Sequence, residues 1–139
     1  MREAVLDASV AAKFFLEEEG SELARSLEHG YDLSAPELIL AELCNLFWKR
    51  IRKRDMFVTD AHAALERLPN VLDLIGLAQI APEAIRLSAT LDHPAYDCFY
   101  LALAYQQNRP LLTADAKLAI LAEAARLDVS VIQLDQLKN

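Results

Sequence analysis

The stretch VLDASV, residues 5–10, takes the chain from an apolar, strand-like run into a helical pattern through a single acid. Asp7 can serve either of two purposes at this point. Its side chain can cap the helix that follows, which is a frequent role of Asp at such a turn. It can also bind a ligand at the carboxyl end of a parallel strand, where open α/β sheets bind their ligands. The rest of the chain has to decide between a cap and a ligand.

Length and composition describe one globular domain over residues 1–139. Of the 139 residues, 54% are hydrophobic and 25% are charged, a mixture that excludes a disordered chain. No run approaches the ~18 uninterrupted apolar residues of a membrane span, and the first ten residues lack the apolar core of a signal peptide. Cys44 and Cys98 lie in apolar segments without metal-ligand spacing. We therefore expect two buried thiols, no membrane association and a cytoplasmic location.

Short apolar runs alternate with longer helical patterns. The sequence predicts strands at residues 3–7, 31–35, 70–77, 110–113 and 129–134. It predicts helices at 9–18, 20–28, 36–54 and 59–68, from Pro82, and at 94–108 and 114–127. Pro36, Pro82 and Pro94 are placed at helix starts, Thr59 as an N-cap, and Pro69 as a helix stop. Strands interleaved with helices predict an α/β fold, in which helices cover both faces of a parallel sheet of five short strands.

One acid interrupts the most apolar part of a predicted helix. Glu42 lies within LILAELCNLF, residues 38–47, with Leu38 and Leu46 on its own helix face. An unpaired carboxylate on a buried face is very costly, which marks Glu42 as functional. The alternative is that this stripe of the helix faces solvent.

Two further acids occupy unusual positions. Asp97 falls in the first turn of the helix opened by Pro94, where the helix dipole can stabilise it, yet its neighbours are bulky and apolar. Asp115 resembles Asp7, since each ends an apolar run and precedes a helix. If their strands are neighbours in a parallel sheet, both side chains emerge at one edge. Clustered carboxylates raise one another's pKa, and a divalent ion such as Mg²⁺ or Mn²⁺ resolves the repulsion.

Other cofactor classes lack support in the sequence. The three glycines form no phosphate-binding loop, which excludes P-loop and dinucleotide-binding proteins. No Cys or His falls at zinc-ligand spacing, and His93 is interpreted as a capping or loop residue before Pro94. Two other enzyme or signalling classes are disfavoured as well. A phosphatase of the haloacid-dehalogenase type requires a second acid at position 9, where this chain has Ser9. A phosphoacceptor receiver domain requires an acidic pair at the end of the first strand, where this chain has only Asp7.

The chain resembles the PIN-domain ribonucleases, specifically the VapC-like toxins of type II toxin–antitoxin pairs. The resemblance is carried by LDASV, AEL, YDCFYLALA and LLTAD, in that order along nearly the whole chain. It implies a parallel sheet of strand order 3-2-1-4-5. It also implies that the metal ligands and catalytic acids are Asp7, Glu42, Asp97 and Asp115. Ser9 and Thr113 are the hydroxyl residues that such enzymes place at the site.

The resemblance further implies an activity and partners. The activity is Mg²⁺- or Mn²⁺-dependent hydrolysis of RNA phosphodiester bonds by a toxin, and the alternative is a non-catalytic PIN-like module that binds RNA or protein. A cognate antitoxin is expected to offer a basic side chain to the acids, and an apolar segment to a groove. That groove lies between the helix from Pro36 and the helices before Tyr31. The hydrophobic share of 54% is somewhat above average, which suggests a surface that a partner covers. Together with the short chain, it favours a homodimer.

The positive charge of this acidic chain is concentrated in WKRIRKRD, residues 48–55. The net charge of −7 argues against general affinity for nucleic acid. A local patch can still hold RNA against that field. The alternative is a solvated helix end stabilised by the helix dipole. The candidate RNA-binding residues are Lys49, Arg50, Arg52, Lys53 and Arg54.

Overall fold

A five-stranded, fully parallel sheet forms the centre of the molecule. The structure, a computed structural model, describes residues 1–137. The strands are β1 (Arg2–Leu6), β2 (Tyr31–Pro36), β3 (Asp73–Ile75), β4 (Leu111–Thr113) and β5 (Val131–Gln133). Their order across the sheet is β3-β2-β1-β4-β5, and every pair is parallel. The predicted α/β class and strand order are confirmed.

Helices fill the connections between the strands. Within residues 1–137 they are α1 (Ala8–Phe15), α2 (Ser21–Gly30), α3 (Leu38–Arg52), α4 (Val58–Val71), α5 (Ala81–Leu91), α6 (Ala95–Gln107) and α7 (Ala116–Ala124). Short 3₁₀ turns lie at Leu77–Gln79 and Leu134–Leu137. None of the helices that the structure describes is long and apolar enough to cross a membrane.

The central strand is buried because its apolar run faces helices on both sides. Ala4, Val5 and Leu6 are fully buried, as expected for a parallel strand covered on both faces. Val5 pairs with Ser34 of β2 on one side and with Leu111 of β4 on the other. Strand β1 therefore has backbone partners along both edges.

The pairing of β1 with β4 places two of the predicted acids together. Leu6 is in register with Leu112, and the backbone N–H of Asp7 donates to the carbonyl of Leu112 at 3.3 Å. Asp7 follows β1 directly, and Asp115 follows β4 after one residue. Both acids therefore lie at the carboxyl edge of the sheet, as the sequence predicts.

The long helix after β2 is shorter than predicted at both ends. Pro36 is the last residue of β2 rather than the start of the helix, and α3 begins at Leu38. At the other end α3 stops at Arg52, and Arg54 has a positive φ of 63°. That left-handed conformation cannot continue a right-handed helix. The basic run therefore extends beyond the helix.

The boundaries of α4 and β3 also differ from the prediction. Pro69 does not stop α4, which continues to Val71, because Leu68 and Val71 are both buried in the core. The extra turn takes in residues assigned to the third strand, and β3 is reduced to Asp73–Ile75. Thr59 is not the N-cap, since Phe57 holds that position and its N–H donates to the Asp60 carboxylate at 3.0 Å.

One of the two cysteines departs from its predicted environment. Cys98 is fully buried in α6, but Cys44 is exposed. The buried face of α3 is formed by Ile39, Leu43 and Phe47. Cys44 follows Leu43 by one residue, a rotation of about 100° around the helix axis, and so lies off that face.

Candidate functional site

One cavity at the carboxyl edge of the sheet brings together the four acids singled out from the sequence. Its volume is about 490 Å³. Its polar lining residues are Asp7, Ser9, Glu42, Asn45, Tyr96, Asp97, Tyr100 and Asp115. No Lys, Arg or His is among the lining residues described. The cavity therefore carries four carboxylates without a neutralising cation of its own.

Asp7 is the N-cap of α1 and also faces the cavity. Its Oδ1 accepts from the backbone N–H of Val10 at 3.2 Å and from the Ser9 hydroxyl at 2.5 Å. Its Oδ2 accepts from the hydroxyl of Thr113. The capping role is thus observed, and it leaves the carboxylate at the wall of the cavity. The two roles that the sequence offered as alternatives are compatible.

Ser9 and Thr113 connect the ends of β1 and β4. The Ser9 hydroxyl accepts from the backbone N–H of Ala114 at 2.9 Å, while the Thr113 hydroxyl accepts from that of Asp115 at 2.9 Å. Thr113 is fully buried behind Asp7. Each hydroxyl therefore donates to Asp7 and accepts from the segment that carries Asp115. This arrangement fixes the orientation of the Asp7 carboxylate.

The pKa of the Asp7 carboxyl is higher than that of an ordinary aspartate. Burial raises its pKa to about 6, although hydrogen bonds from Ser9, Thr113 and Val10 act in the opposite direction. The nearby charge of Asp97 raises the pKa further. At neutral pH the protein therefore holds a desolvated carboxylate at the cost of folding free energy.

Glu42 is hydrogen-bonded to a buried tyrosine of another helix. The hydroxyl of Tyr100 on α6 donates to Oε1 of Glu42 on α3. Burial raises the pKa of Glu42, the Tyr100 hydrogen bond lowers it, and the charge of Asp97 raises it. Leu38 and Leu46 line the cavity on the same stripe of α3. All three side chains are half-buried, so this stripe lines the cavity and is neither fully buried nor fully exposed to solvent.

Asp97 and Asp115 are the other two acids that line the cavity. Asp97, in the first turn of α6, lies 2.8 Å from Nε2 of His93 through its Oδ2. Asp115 is exposed and caps α7, with its Oδ1 accepting from the N–H of Lys117 at 2.9 Å. Since Asp97 raises the pKa of both Asp7 and Glu42, its charge is felt across the cavity.

The chemistry of this donor set fits a hard divalent cation. Carboxylate oxygens are the ligands that Mg²⁺ and Mn²⁺ prefer. The negative charge of Asp97 adds to burial in raising the pKa of both Asp7 and Glu42, and a bound cation would offset that repulsion. In the part of the chain that the structure describes, no three acidic, His or Cys side chains converge closely enough to hold an ion as they stand. Each carboxylate instead accepts from its own neighbour.

Two partners of the acids were missed by sequence reasoning. Tyr100 sits in an apolar helical run and was not singled out, although it follows Asp97 by three residues and so shares its helix face. A buried tyrosine hydroxyl requires a hydrogen-bond partner, which was the available signal. His93 does lie in a loop, as predicted, but its contact with Asp97 was not anticipated.

The five cations of residues 49–54 lie outside the acidic cavity. Arg50 pairs with Glu18 at 2.7 Å and with Asp55 at 3.7 Å. The guanidinium of Arg52 lies over the ring of Trp48, 5.4 Å from its centroid. The structure therefore separates the predicted basic patch from the carboxylates.

Comparisons with known proteins agree with this fold. The chain is 32% identical to ribonuclease VapC3 of Pyrobaculum aerophilum over 119 residues, 83% of this chain and 91% of the relative. The crystal structure of PAE2754 from the same organism superposes with a TM-score of 0.71 at 18% identity, covering 98% of this chain and 86% of that one.

A second solved structure has the same fold. It is VapBC2 from Rickettsia felis, bound to a DNA fragment from the promoter, with a TM-score of 0.68 at 14% identity. The match covers 94% of this chain and 98% of that chain. A model of the PIN domain matches residues 4–124. On the strength of that match and of the VapC3 relative, the chain belongs to the PIN domain family and, within it, to the VapC-like ribonucleases.

Proposed function

We propose that this protein is a Mg²⁺- or Mn²⁺-dependent endoribonuclease and the toxin of a toxin–antitoxin pair. The observation that carries the proposal is the single cavity lined by Asp7, Glu42, Asp97 and Asp115, with no cation among its described lining residues. The name of the 32% identical relative from Pyrobaculum aerophilum, ribonuclease VapC3, supports the same activity. A solved structure of the same fold, VapBC2, is described as bound to promoter DNA.

The roles of the side chains follow from their contacts. A bound Mg²⁺ or Mn²⁺ supplies a water of lowered pKa and neutralises charge on the phosphate. Asp7, Glu42, Asp97 and Asp115 are the residues that would hold it. Ser9 and Thr113 orient Asp7 through both of its oxygens, and Tyr100 orients Glu42. Such outer partners fix the geometry and basicity of the ligands.

The expected activity is cleavage of single-stranded RNA by the purified chain in Mg²⁺ or Mn²⁺, and no cleavage in excess EDTA. Gel analysis of labelled RNA measures it, and restoring the ion should restore cleavage. RNA that is bound but never cut, over a range of ion concentrations, would instead support the non-catalytic PIN-like module.

Ion binding should also stabilise the fold, because a ligand that binds only the native state raises its stability by mass action. At a hundred times its dissociation constant, an ion adds about 2.7 kcal/mol, or roughly 8 to 10 °C in melting temperature for a chain of this size. We expect Mn²⁺ to raise the melting temperature of the wild type, and to do so far less for Glu42→Gln.

A matched control separates ligation from a general charge effect. Glu37 is exposed, precedes α3 directly and makes no side-chain cap. Glu37→Gln should keep the wild-type shift in a thermal scan with and without Mn²⁺. Equal shifts in Glu42→Gln and wild type would show that Glu42 is not a ligand.

The partners and location that we propose are a cognate antitoxin, a second copy of the chain, and the cytoplasm. Several large apolar side chains are exposed on helices or at their ends, which leaves surface for protein contacts. They include Trp48, Phe57, Val58, Ile85, Tyr105 and Ile120. A monodisperse monomer at high concentration in sedimentation velocity would exclude the homodimer.

A further inference from the structure

A second groove adjoins the acidic cavity. It lies between α1 and α3, which pack together through the rings of Phe15 and Phe47 at 6.3 Å. Its volume is about 300 Å³, and it shares Ser9 and Leu46 with the acidic cavity. A chain that occupied the cavity could therefore continue directly into the groove.

The charge of the groove is opposite to that of the cavity. Lys13, Lys49, Arg50 and Lys53 line it, and Glu18 is the only acid among its described lining residues. In a protein of net charge −7, this is a local concentration of positive charge. Such a patch raises the local concentration of anions even when the overall field repels them.

Two of the four cations are held in place by Glu18. Its carboxylate accepts from Arg50 at 2.7 Å and from Lys13 at 3.2 Å, and Lys13 also donates to the carbonyl of Glu19 at 2.6 Å. The side chains of Lys13 and Arg50 are therefore held in position on one side of the groove, and the Glu18 carboxylate neutralises part of their charge.

The other two cations are available to a ligand. Lys49 and Lys53 are exposed, and within residues 1–137 neither takes part in an ion pair or a side-chain hydrogen bond. They are spaced i, i+4 where α3 ends, so they occupy one side about 6 Å apart along the axis. No described carboxylate of the chain satisfies them.

We propose that this groove holds the sugar–phosphate backbone of RNA beside the cleaved bond, with Lys49 and Lys53 contacting phosphates. The inference rests on the proposed ribonuclease activity, and it assigns the side from which the strand enters or leaves the acidic cavity. The backbone of RNA is a regular polyanion, and the two unpaired cations, Lys49 and Lys53, can each contact one of its phosphates. The carboxylates of the cavity cannot attract the flanking phosphates, so the cations must come from a neighbouring surface.

The groove is the same one that the sequence assigned to an apolar segment of an antitoxin. The groove is also lined by apolar residues, namely Ala12, Leu16, Leu46 and Ala114. An apolar segment could pack against these residues, but it would leave Lys49 and Lys53 without a counter-charge, whereas an anionic chain supplies one. An acidic segment of a partner protein is the remaining rival. Direct continuity with the cavity through Ser9 and Leu46 favours the substrate, because the substrate must pass through the cavity itself.

The basic run contains its own control. Arg52 lies over Trp48, Arg54 follows the end of α3 with a positive φ, and neither lines the groove. Of the five cations that the sequence offered for RNA, three line the groove, namely Lys49, Arg50 and Lys53, and the other two do not.

The test compares two double variants that remove the same charge from neighbouring positions. Lys49→Gln with Lys53→Gln should weaken binding of a labelled single-stranded RNA roughly tenfold, since two phosphate contacts are lost. Its salt dependence should be flatter by about 1.4 in log–log slope, because each contact with a single strand contributes about 0.7. Arg52→Gln with Arg54→Gln should bind within about twofold of wild type. Fluorescence anisotropy in EDTA, at several salt concentrations, measures all three proteins without cleavage.

Two further readouts keep the outcomes distinct. Both double variants should retain the wild-type melting temperature and its rise with Mn²⁺, since no proposed ion ligand is changed. Equal RNA affinity in the two double variants would overturn the groove assignment and favour an acidic protein segment as its occupant. If the wild type binds RNA but cleaves none while the lysine variant still binds more weakly, the ribonuclease proposal fails and the groove stands.

Discussion

Asp7→Asn should reduce RNA cleavage by more than about a hundredfold, because loss of even an outer partner of a metal ligand costs about 10- to 100-fold. The substitution keeps the size of the side chain and an oxygen that can cap α1. It removes the charge that a divalent ion requires. Asp97→Asn should have a similar effect, since Asp97 faces the same cavity. Initial rates on labelled RNA at a fixed Mg²⁺ or Mn²⁺ concentration measure both variants.

The matched control for these variants is Asp73→Asn. Asp73 is exposed at the start of β3, away from the residues that line the cavity. This variant should cleave RNA at the wild-type rate. Circular dichroism should show that all three proteins are folded. Wild-type rates in purified Asp7→Asn or Asp97→Asn would remove that residue from the proposed ligands.

A second large effect concerns stability in the absence of a divalent ion. The pKa of Asp7 is raised from 3.8 to about 6 in the folded protein. The folded state therefore binds the proton more tightly than the unfolded state, and its ionisation lowers the free energy of unfolding. The loss begins as the pH rises above about 4 and is complete above about pH 6 to 7, where it reaches about 3 kcal/mol.

Asp7→Asn isolates this contribution from the other titrating groups. In EDTA the free energy of unfolding of the variant, relative to wild type, should rise between pH 4 and pH 7 by about 3 kcal/mol. Urea unfolding at each pH measures it, and Asp73→Asn should run parallel to wild type. Parallel curves for wild type and Asp7→Asn would contradict the raised pKa. If Asp7→Asn is more stable than wild type at neutral pH and yet inactive, the ionised Asp7 carboxylate lowers the stability of the fold and is nevertheless required for cleavage.

The sheet could be predicted because its strands carry a strong local signal. The run from Ala4 to Leu6 is apolar throughout, as a strand covered on both faces requires. The short strand β3 has a weaker signal. Its predicted segment was divided between α4 and the sheet, since burial of Val71 outweighed the helix-breaking tendency of Pro69. Periodicity also misplaced Cys44, one residue from the buried face of α3.

The candidate site was predictable only in part. Asp7, Glu42 and Asp97 stand out because charge interrupts an apolar pattern, which the sequence shows directly. Tyr100 does not stand out, because a tyrosine in an apolar run is typical of a core residue. Its partner Glu42 is 58 positions away in the chain. Such a pairing depends on how α3 and α6 pack, and no local pattern encodes it.

The placement of the four acids on different elements has a consequence for motion. Asp7 follows β1, whose backbone is hydrogen-bonded to a strand on each side. Glu42 and Asp97 are carried by helices, and Asp97 lies in the first turn of its helix, where backbone N–H groups lack intrahelical partners. Opening of that turn can therefore move Asp97 without disturbing the sheet. Asp7 is tied to β4 as well, through the Thr113 hydroxyl and the carbonyl of Leu112. We therefore expect fraying of this one helix turn to limit how long an ion stays between the carboxylates, so that its dissociation rate should not follow the global stability of the domain.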